Sequence, residues 1–318
     1  FICHFAGTNR TDNKEDFYEN NISLTKKISS VVDNVFRKKN VKIPILFTSS
    51  TQAGEDSFYG KSKLQAEIVL KNLSKKTGIP VHIFRLPNVF GKFGKPDYNS
   101  VVTTFCYNIS RGIAIRVDNP SSYLNLVYID DVIERFIQII KGFPSKKNGV
   151  GFEEVGPLYS ITVGDLAATI SSFKEKKSTL DIDKVGKGLT RALFSTYVSY
   201  LGQDNIVHDL KNNADERGSF IEILKTEDSG QFSYFSARPG VTRGGHFHNT
   251  KVERFLVVRG NAKFRFEKLF TGEKFEIFIS GENPQIVETV PGWIHDITNI
   301  GQDRMDVFLW ANEVFDPC

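Results

Sequence analysis

Long apolar runs are missing from this chain. None approaches the roughly 20 residues that a membrane helix needs, and no signal peptide is recognised, so neither a membrane span nor a membrane partner is expected. Cysteine is scarce. Cys3, Cys106 and Cys318 are odd in number and far apart, which does not make a disulfide framework and suits a reducing cytoplasm. Basic residues form no run with interleaved aromatics, so nucleic acid is not expected as a partner. Internal repeats and low-complexity tracts are also absent.

What is present is an ordinary globular composition, 40% hydrophobic and 25% charged over 318 residues, a length that suits about two domains. The net charge of +4 is unevenly placed. From Ala214 onward there are 12 Lys/Arg against 16 Asp/Glu, leaving 29 against 21 before it. A basic first part suits an anionic substrate such as a nucleotide diphosphate; scattered solvated lysines would give the same balance. The opening Phe1-Ile2-Cys3-His4-Phe5-Ala6-Gly7 reads as a buried strand entering a tight turn, and residues before Phe1 are expected.

The first 200 or so residues alternate apolar runs with amphipathic stretches. Ile43–Phe47 and Val81–Arg85 read as strands, while Ser62–Lys75 and Asp130–Ile140 read as helices. Asp130 and Asp131 in a first turn suit the helix dipole. This β-then-α rhythm argues for a parallel sheet covered by helices. From Gly218 the pattern becomes short alternating strands, including 232–235, 254–258, 263–267 and 305–310, punctuated by turn residues. That is an antiparallel barrel or sandwich. The boundary is placed between about Gly202 and Asn213, giving domains 1–207 and 208–318.

Two constellations carry chemistry. Thr48-Ser49-Ser50-Thr51 ends a strand, and Tyr59-Gly60-Lys61-Ser62-Lys63 follows. A Tyr and a Lys four apart share one helix face, so the ammonium is expected to lower the tyrosine pKa and ready it for proton transfer to a carbonyl. Alone, the pair occurs by chance in many helices. The second is His246-Phe247-His248, with Glu253 and His295 following. His-x-His in a strand would put both imidazoles on one face. Glu253 would start the next strand, and His295 would come from a facing one. Three imidazoles and a carboxylate suit Zn²⁺, Fe²⁺, Mn²⁺, Ni²⁺ or Cu²⁺.

The first part resembles the extended short-chain dehydrogenase/reductases that act on nucleotide sugars. His4-Phe5-Ala6-Gly7, Tyr59-x-x-x-Lys63, Arg85-Leu86-Pro87-Asn88-Val89-Phe90-Gly91 and Val127-Tyr128-Ile129-Asp130-Asp131 follow in that family's order. The resemblance implies Tyr59 as acid/base and Lys63 as its partner. Ser50 becomes the orienting hydroxyl, with Ser49 and Thr51 as rivals. Ala6, Gly7, Tyr59 and Lys63 would meet a nicotinamide cofactor, and Asn88 the sugar nucleotide. The glycine-rich pyrophosphate turn of that family is not among these residues. It is expected before Phe1, as is the strand end that separates NAD from NADP.

The second part resembles the cupins. Gly240-x5-His246-x-His248-x4-Glu253-x6-Gly260 meets their first motif, and Pro291-Gly292-Trp293-Ile294-His295 falls one residue short of the second. It is also similar to the deoxynucleotide-linked 4-keto-sugar 3,5-epimerases through Asp215–Phe220 and Pro239–His246. There a histidine near His246 acts as a base, a role that metal ligation would exclude. Arg217 and Arg243 are candidates for phosphate or enolate contacts, with surface arginines as the alternative. The fused whole resembles a family of bacterial capsular-polysaccharide enzymes. That likeness implies a homodimer with Zn²⁺ in the barrel and NADPH in the reductase part. It implies C3 epimerisation of a UDP-2-acetamido-2,6-dideoxy-4-keto-hexose, then C4 reduction to UDP-2-acetamido-2,6-dideoxy-L-talose.

Overall fold

A computed structural model describes residues 1–145, 151–210, 213–215, 218–220, 224–226 and 230–313. The chain forms two compact units. One comprises residues 1–89 and 125–160, the other residues 90–124 and 161–318.

The first unit is built on parallel strands β1 (Ile2–His4), β2 (Ile45–Ser50) and β3 (Val81–Leu86), in that order. Their register runs Ile2↔Ile45 and Ile45↔Val81. Both faces of β2 are buried, which explains its unbroken Ile-Leu-Phe run. Ile45 and Phe47 pack with Val32 of helix α1 (Leu24–Lys39) and with Ala66, Leu70 and Leu73 of helix α2 (Phe58–Thr77). Leu46 points the other way, toward Val132, Phe136 and Ile139. Each such side chain, fully buried, contributes about 1.5–3 kcal/mol.

Helix α2 begins where Ser57 accepts a hydrogen bond from the Gly60 amide, and it ends at Gly78 in the left-handed region. It therefore starts four residues before the expected Ser62, and the extra turn carries Tyr59. Helix α3 (Val101–Ser110) belongs to the second unit. Helix α4 (Ile129–Ile140) carries Asp130 and Asp131 in its first turn, but the capping position is Tyr128 and no side chain caps it. The two aspartates therefore help through charge. Strands β4 (Asn88–Phe90), β5 (Tyr123–Tyr128) and β6 (Leu158–Thr162) form a further sheet in the order β4-β5-β6.

The second unit also holds helices α5 (Val163–Thr179) and α6 (Gly188–Ser199) and a barrel of two sheets. Its strands are β7 (Val207–Asp209), β8 (Gln231–Ala237), β9 (Thr242–His246), β10 (Glu253–Arg259), β11 (Asn261–Lys268), β12 (Lys274–Ser280), β13 (Gln285–Glu288), β14 (Trp293–Asn299) and β15 (Met305–Ala311). One sheet has the order β8-β15-β10-β13-β7 and the other β9-β14-β11-β12. Inside sit Phe255, Phe264, Phe266 and Trp293, all buried, with ring centroids of Phe255 and Phe264 5.6 Å apart. The four strands read from the sequence at 232–235, 254–258, 263–267 and 305–310 all lie within observed strands. No described helix is long and apolar enough to cross a membrane.

Candidate active site and metal centre

The first unit brings Ser50 and Tyr59 together. Ser50 ends β2 and Tyr59 lies in the first turn of α2, with the Ser50 hydroxyl near enough to act on the Tyr59 phenol. Gly60 lets this turn approach. A Cβ there would lie 2.5 Å from the Gln52 carbonyl oxygen and 2.9 Å from that of Glu55. One helical turn on, Lys63 is buried and its Nζ donates to the Thr48 carbonyl oxygen at 2.9 Å. Its ammonium also lies 5.1 Å from the centroid of the Phe47 ring.

The electrostatics differ from the expectation in one respect. Burial raises the Tyr59 pKa above the ordinary phenol value, and the Ser50 hydroxyl only partly opposes this. The Lys63 ammonium itself is hydrogen-bonded to the Thr48 carbonyl oxygen. Burial also brings Lys63 down to about 8, with the Glu67 carboxylate pulling the other way.

Two further residues hold this site and were missed in the sequence. Glu67 is fully buried and accepts hydrogen bonds from Ser49 Oγ at 2.6 Å, Arg85 Nε at 2.9 Å and Arg85 Nη2 at 2.8 Å. It thereby ties α2 to β2 and β3. The spacing Tyr59, Lys63, Glu67 in steps of four was the available signal. Asn21 sits in a wide helical turn, Tyr18–Ser23. Its Nδ2 donates to Ser62 Oγ at 2.8 Å, and its Oδ1 accepts from the Thr8 amide at 2.8 Å. Nothing in a single sequence marks it.

Ala6 and Gly7 follow β1 and are exposed. A Cβ on Gly7 would lie 2.6 Å from Asn21 Oδ1 and 3.6 Å from Lys63 Nζ. The bare backbone of Gly7 is therefore what lets Asn21 pack here, beside the buried lysine. Asn88 is exposed on β4, with Nδ2 3.3 Å from the Asn125 carbonyl oxygen.

In the barrel, His246, His248, Glu253 and His295 converge, each offering a ligand atom within 4.8 Å of the others. The pattern arises differently from a His-x-His strand. Strand β9 ends at His246, and His248 lies in the following loop. A bulge between Gly244 and His246 sets His246 opposite His295 on β14. Both glycines of the bulge have left-handed backbone, with φ of +99° at Gly244 and +79° at Gly245. A Cβ on Gly244 would also lie 2.9 Å from the His295 carbonyl oxygen.

Glu253, the first residue of β10, is buried. His295 Nε2 lies 3.1 Å from its Oε2. His248 Nε2 is buried 3.3 Å from the same oxygen, too poorly aligned to hydrogen-bond. Burial alone would raise the Glu253 pKa, but the facing imidazoles of His248 and His295 outweigh it and bring it to about 2. Burial, then the imidazoles of His295 and His248, lower that of His246. Three imidazoles and a carboxylate, with the orphaned His248 nitrogen among them, are a donor set that fits a first-row divalent cation.

Of the two arginines singled out, Arg243 is exposed. It donates to the Ser236 carbonyl oxygen at 3.1 Å, with its guanidinium 5.1 Å from the Phe235 ring centroid. Arg217 lies outside the described residues.

The fold is a parallel α/β unit with a Ser/Tyr/Lys constellation, followed by a β-barrel with a His/Glu cluster. Residues 1–150 match the NAD dependent epimerase/dehydratase family, and residues 213–318 match the polysaccharide biosynthesis C-terminal domain. A UDP-2-acetamido-2,6-beta-L-arabino-hexul-4-ose reductase of Pseudomonas aeruginosa is 51% identical over 316 residues, covering 99% of this chain and 83% of its own. The chain belongs to the family of that reductase. The capsular polysaccharide assembling protein CapF of Staphylococcus aureus has a similar structure, with a TM-score of 0.62 and 36% identity over 100% of this chain and 84% of its own. A shorter likeness, 28% over 123 residues, links 35% of this chain to 78% of a probable low-salt glycan biosynthesis epimerase, Agl13, of Haloferax volcanii.

Proposed function

We propose that this chain is a bifunctional nucleotide-sugar enzyme of capsular polysaccharide precursor synthesis. Its substrate is a UDP-2-acetamido-2,6-dideoxy-4-keto-hexose. Residues 208–318 epimerise C3, and residues 1–207 then reduce C4 with NADPH, giving UDP-2-acetamido-2,6-dideoxy-L-talose in a homodimeric cytoplasmic protein. The observation that carries the reading is Ser50 beside Tyr59, with the buried Lys63 one helical turn on, in a chain half identical to a 4-ketose reductase.

In the reduction, bound NADPH would supply the hydride for C4. Tyr59 gives its phenolic proton to O4, so the ketone becomes an alcohol. A raised phenol pKa keeps that proton in place until it is needed. Ser50 donates to the same oxygen and orients it. Lys63 keeps positive charge one helical turn from the phenol, and Asn88 contacts the sugar nucleotide.

In the barrel, His246, His248, Glu253 and His295 would hold Zn²⁺. Such an ion would polarise a substrate oxygen or brace the strands. As ligands these side chains are not bases, so the C3 proton is taken by another group. Epimerisation removes that proton beside the ketone and returns it to the opposite face, with Arg243 in reach of phosphate or enolate oxygen as its proposed role.

Isothermal titration of the intact protein with NADPH and NADH tests the cofactor reading. Tighter binding of NADPH is expected, and no binding of either would end the reductase assignment.

A further inference from the structure

Phe93 is a bulky residue with left-handed backbone, φ +66°. Such a conformation is uncommon outside glycine and asparagine and persists only where the surroundings hold it. Here the surroundings are barrel residues of the same unit. A Cβ on Gly292 would lie 2.5 Å from Phe93 Cζ, and 3.2 and 3.3 Å from its two Cε atoms. The ring thus occupies the place of the missing side chain. Phe270 packs against the ring edge to face, with centroids 4.6 Å apart, both side chains remaining exposed. The neighbouring Lys92 Nζ reaches the Asn249 carbonyl oxygen at 3.4 Å.

These contacts fall on one junction. Gly292 is three residues before His295, and Asn249 directly follows His248. The Gly292 amide donates to the His248 carbonyl oxygen at 2.9 Å, which joins the His248 loop to the turn entering the His295 strand. Lys92 and Phe93 therefore press on both where they meet. Both residues come from the segment matching the epimerase/dehydratase family, while the loop and the turn belong to the segment matching the polysaccharide-biosynthesis domain.

We infer that Lys92–Phe93 is a strap that sets the spacing between the His248 loop and the turn entering the His295 strand, making Phe93 a positioning residue for the barrel's metal centre. The inference rests on the reading of that cluster as a metal site. Gly292 is favoured both by its own left-handed backbone, φ +80°, and by the ring that covers its bare face. Phe93 spends backbone strain to place the ring there. Residues that orient ligands without touching the ion typically change metal affinity about 10- to 100-fold.

The test is zinc affinity, measured on the full chain by competition with a chromophoric chelator. Phe93→Gly suits the left-handed backbone and deletes only the ring, so the turn keeps its path. Phe93→Tyr keeps the ring. Wild type and Phe93→Tyr are expected to bind one zinc per chain with equal affinity, and Phe93→Gly to bind about 10-fold more weakly. Zinc bound equally well by Phe93→Gly overturns the strap while leaving the metal site standing. No zinc bound by the wild type overturns the metal reading and the strap with it.

Discussion

Replacing Glu67 by Gln should shift the alkaline limit of ketone reduction. Lys63 has a pKa of about 8, brought down by burial and held up by Glu67. The charged and titratable groups that act on it are Glu67 on its own helix and His4 on β1. The pKa of His4 is itself lowered to about 4, by burial and then by the lysine. Charges about 6 Å apart, one helical turn, at an effective dielectric constant of about 20, interact by about 3 kcal/mol at most. Arg85 already offsets much of the Glu67 charge through its paired hydrogen bonds. The part left for Lys63 is on the order of 1 kcal/mol, or roughly one pH unit. The sign follows directly. Lys63 is charged below its pKa, and loss of Glu67 lowers that pKa. Activity that falls as pH rises through about 8 in the wild type should fall roughly one unit earlier in Glu67→Gln. The assay is NADPH oxidation, with kcat/KM followed from pH 6 to 10. Ser49→Ala is the companion variant, because it removes one hydrogen bond to Glu67 and keeps the charge; its limb should not move. An unmoved limb in Glu67→Gln, or an equal shift in Ser49→Ala, would refute the electrostatic reasoning.

Two other outcomes follow from the geometry. Gly60→Ala places a methyl 2.5 Å from the Gln52 carbonyl oxygen, and should destabilise the protein by about 1–3 kcal/mol despite the better helix propensity of alanine. Chemical denaturation reads this as a lower midpoint at unchanged slope. His295→Ala should abolish stoichiometric zinc binding, seen by elemental analysis of the purified protein, because it removes a ligand from the buried side of the cluster.

The fold was legible where periodicity is strong. The two-sided apolar run of β2 and the alternating barrel strands follow from burial alone, since side-chain period reports which faces are covered. The metal-type cluster was legible for a different reason. Its residue types are rare, so their clustering in sequence is informative. The geometry that gathers them was not legible. His248 lies past the end of β9, and a glycine bulge replaces the two-residue period that made His-x-His attractive. The site in the first unit shows the same limit. Tyr59 and Lys63 stand out by spacing, whereas Asn21 and Glu67 act through contacts 41 and 18 residues away in the chain. The tyrosine pKa is raised, opposite to the local argument, because burial depends on the whole unit.

The central claim is that one chain exchanges the proton at C3 and reduces the ketone at C4. Proton NMR of the UDP-2-acetamido-2,6-dideoxy-4-keto-hexose in deuterium oxide tests it directly, using wild type and Tyr59→Phe with and without NADPH. Deuterium should enter C3 with both proteins without NADPH. The C4 alcohol should form only with NADPH, and about 10²- to 10⁴-fold more slowly with Tyr59→Phe. No deuterium at C3 in the absence of NADPH, or reduction by Tyr59→Phe at the wild-type rate, would contradict the account.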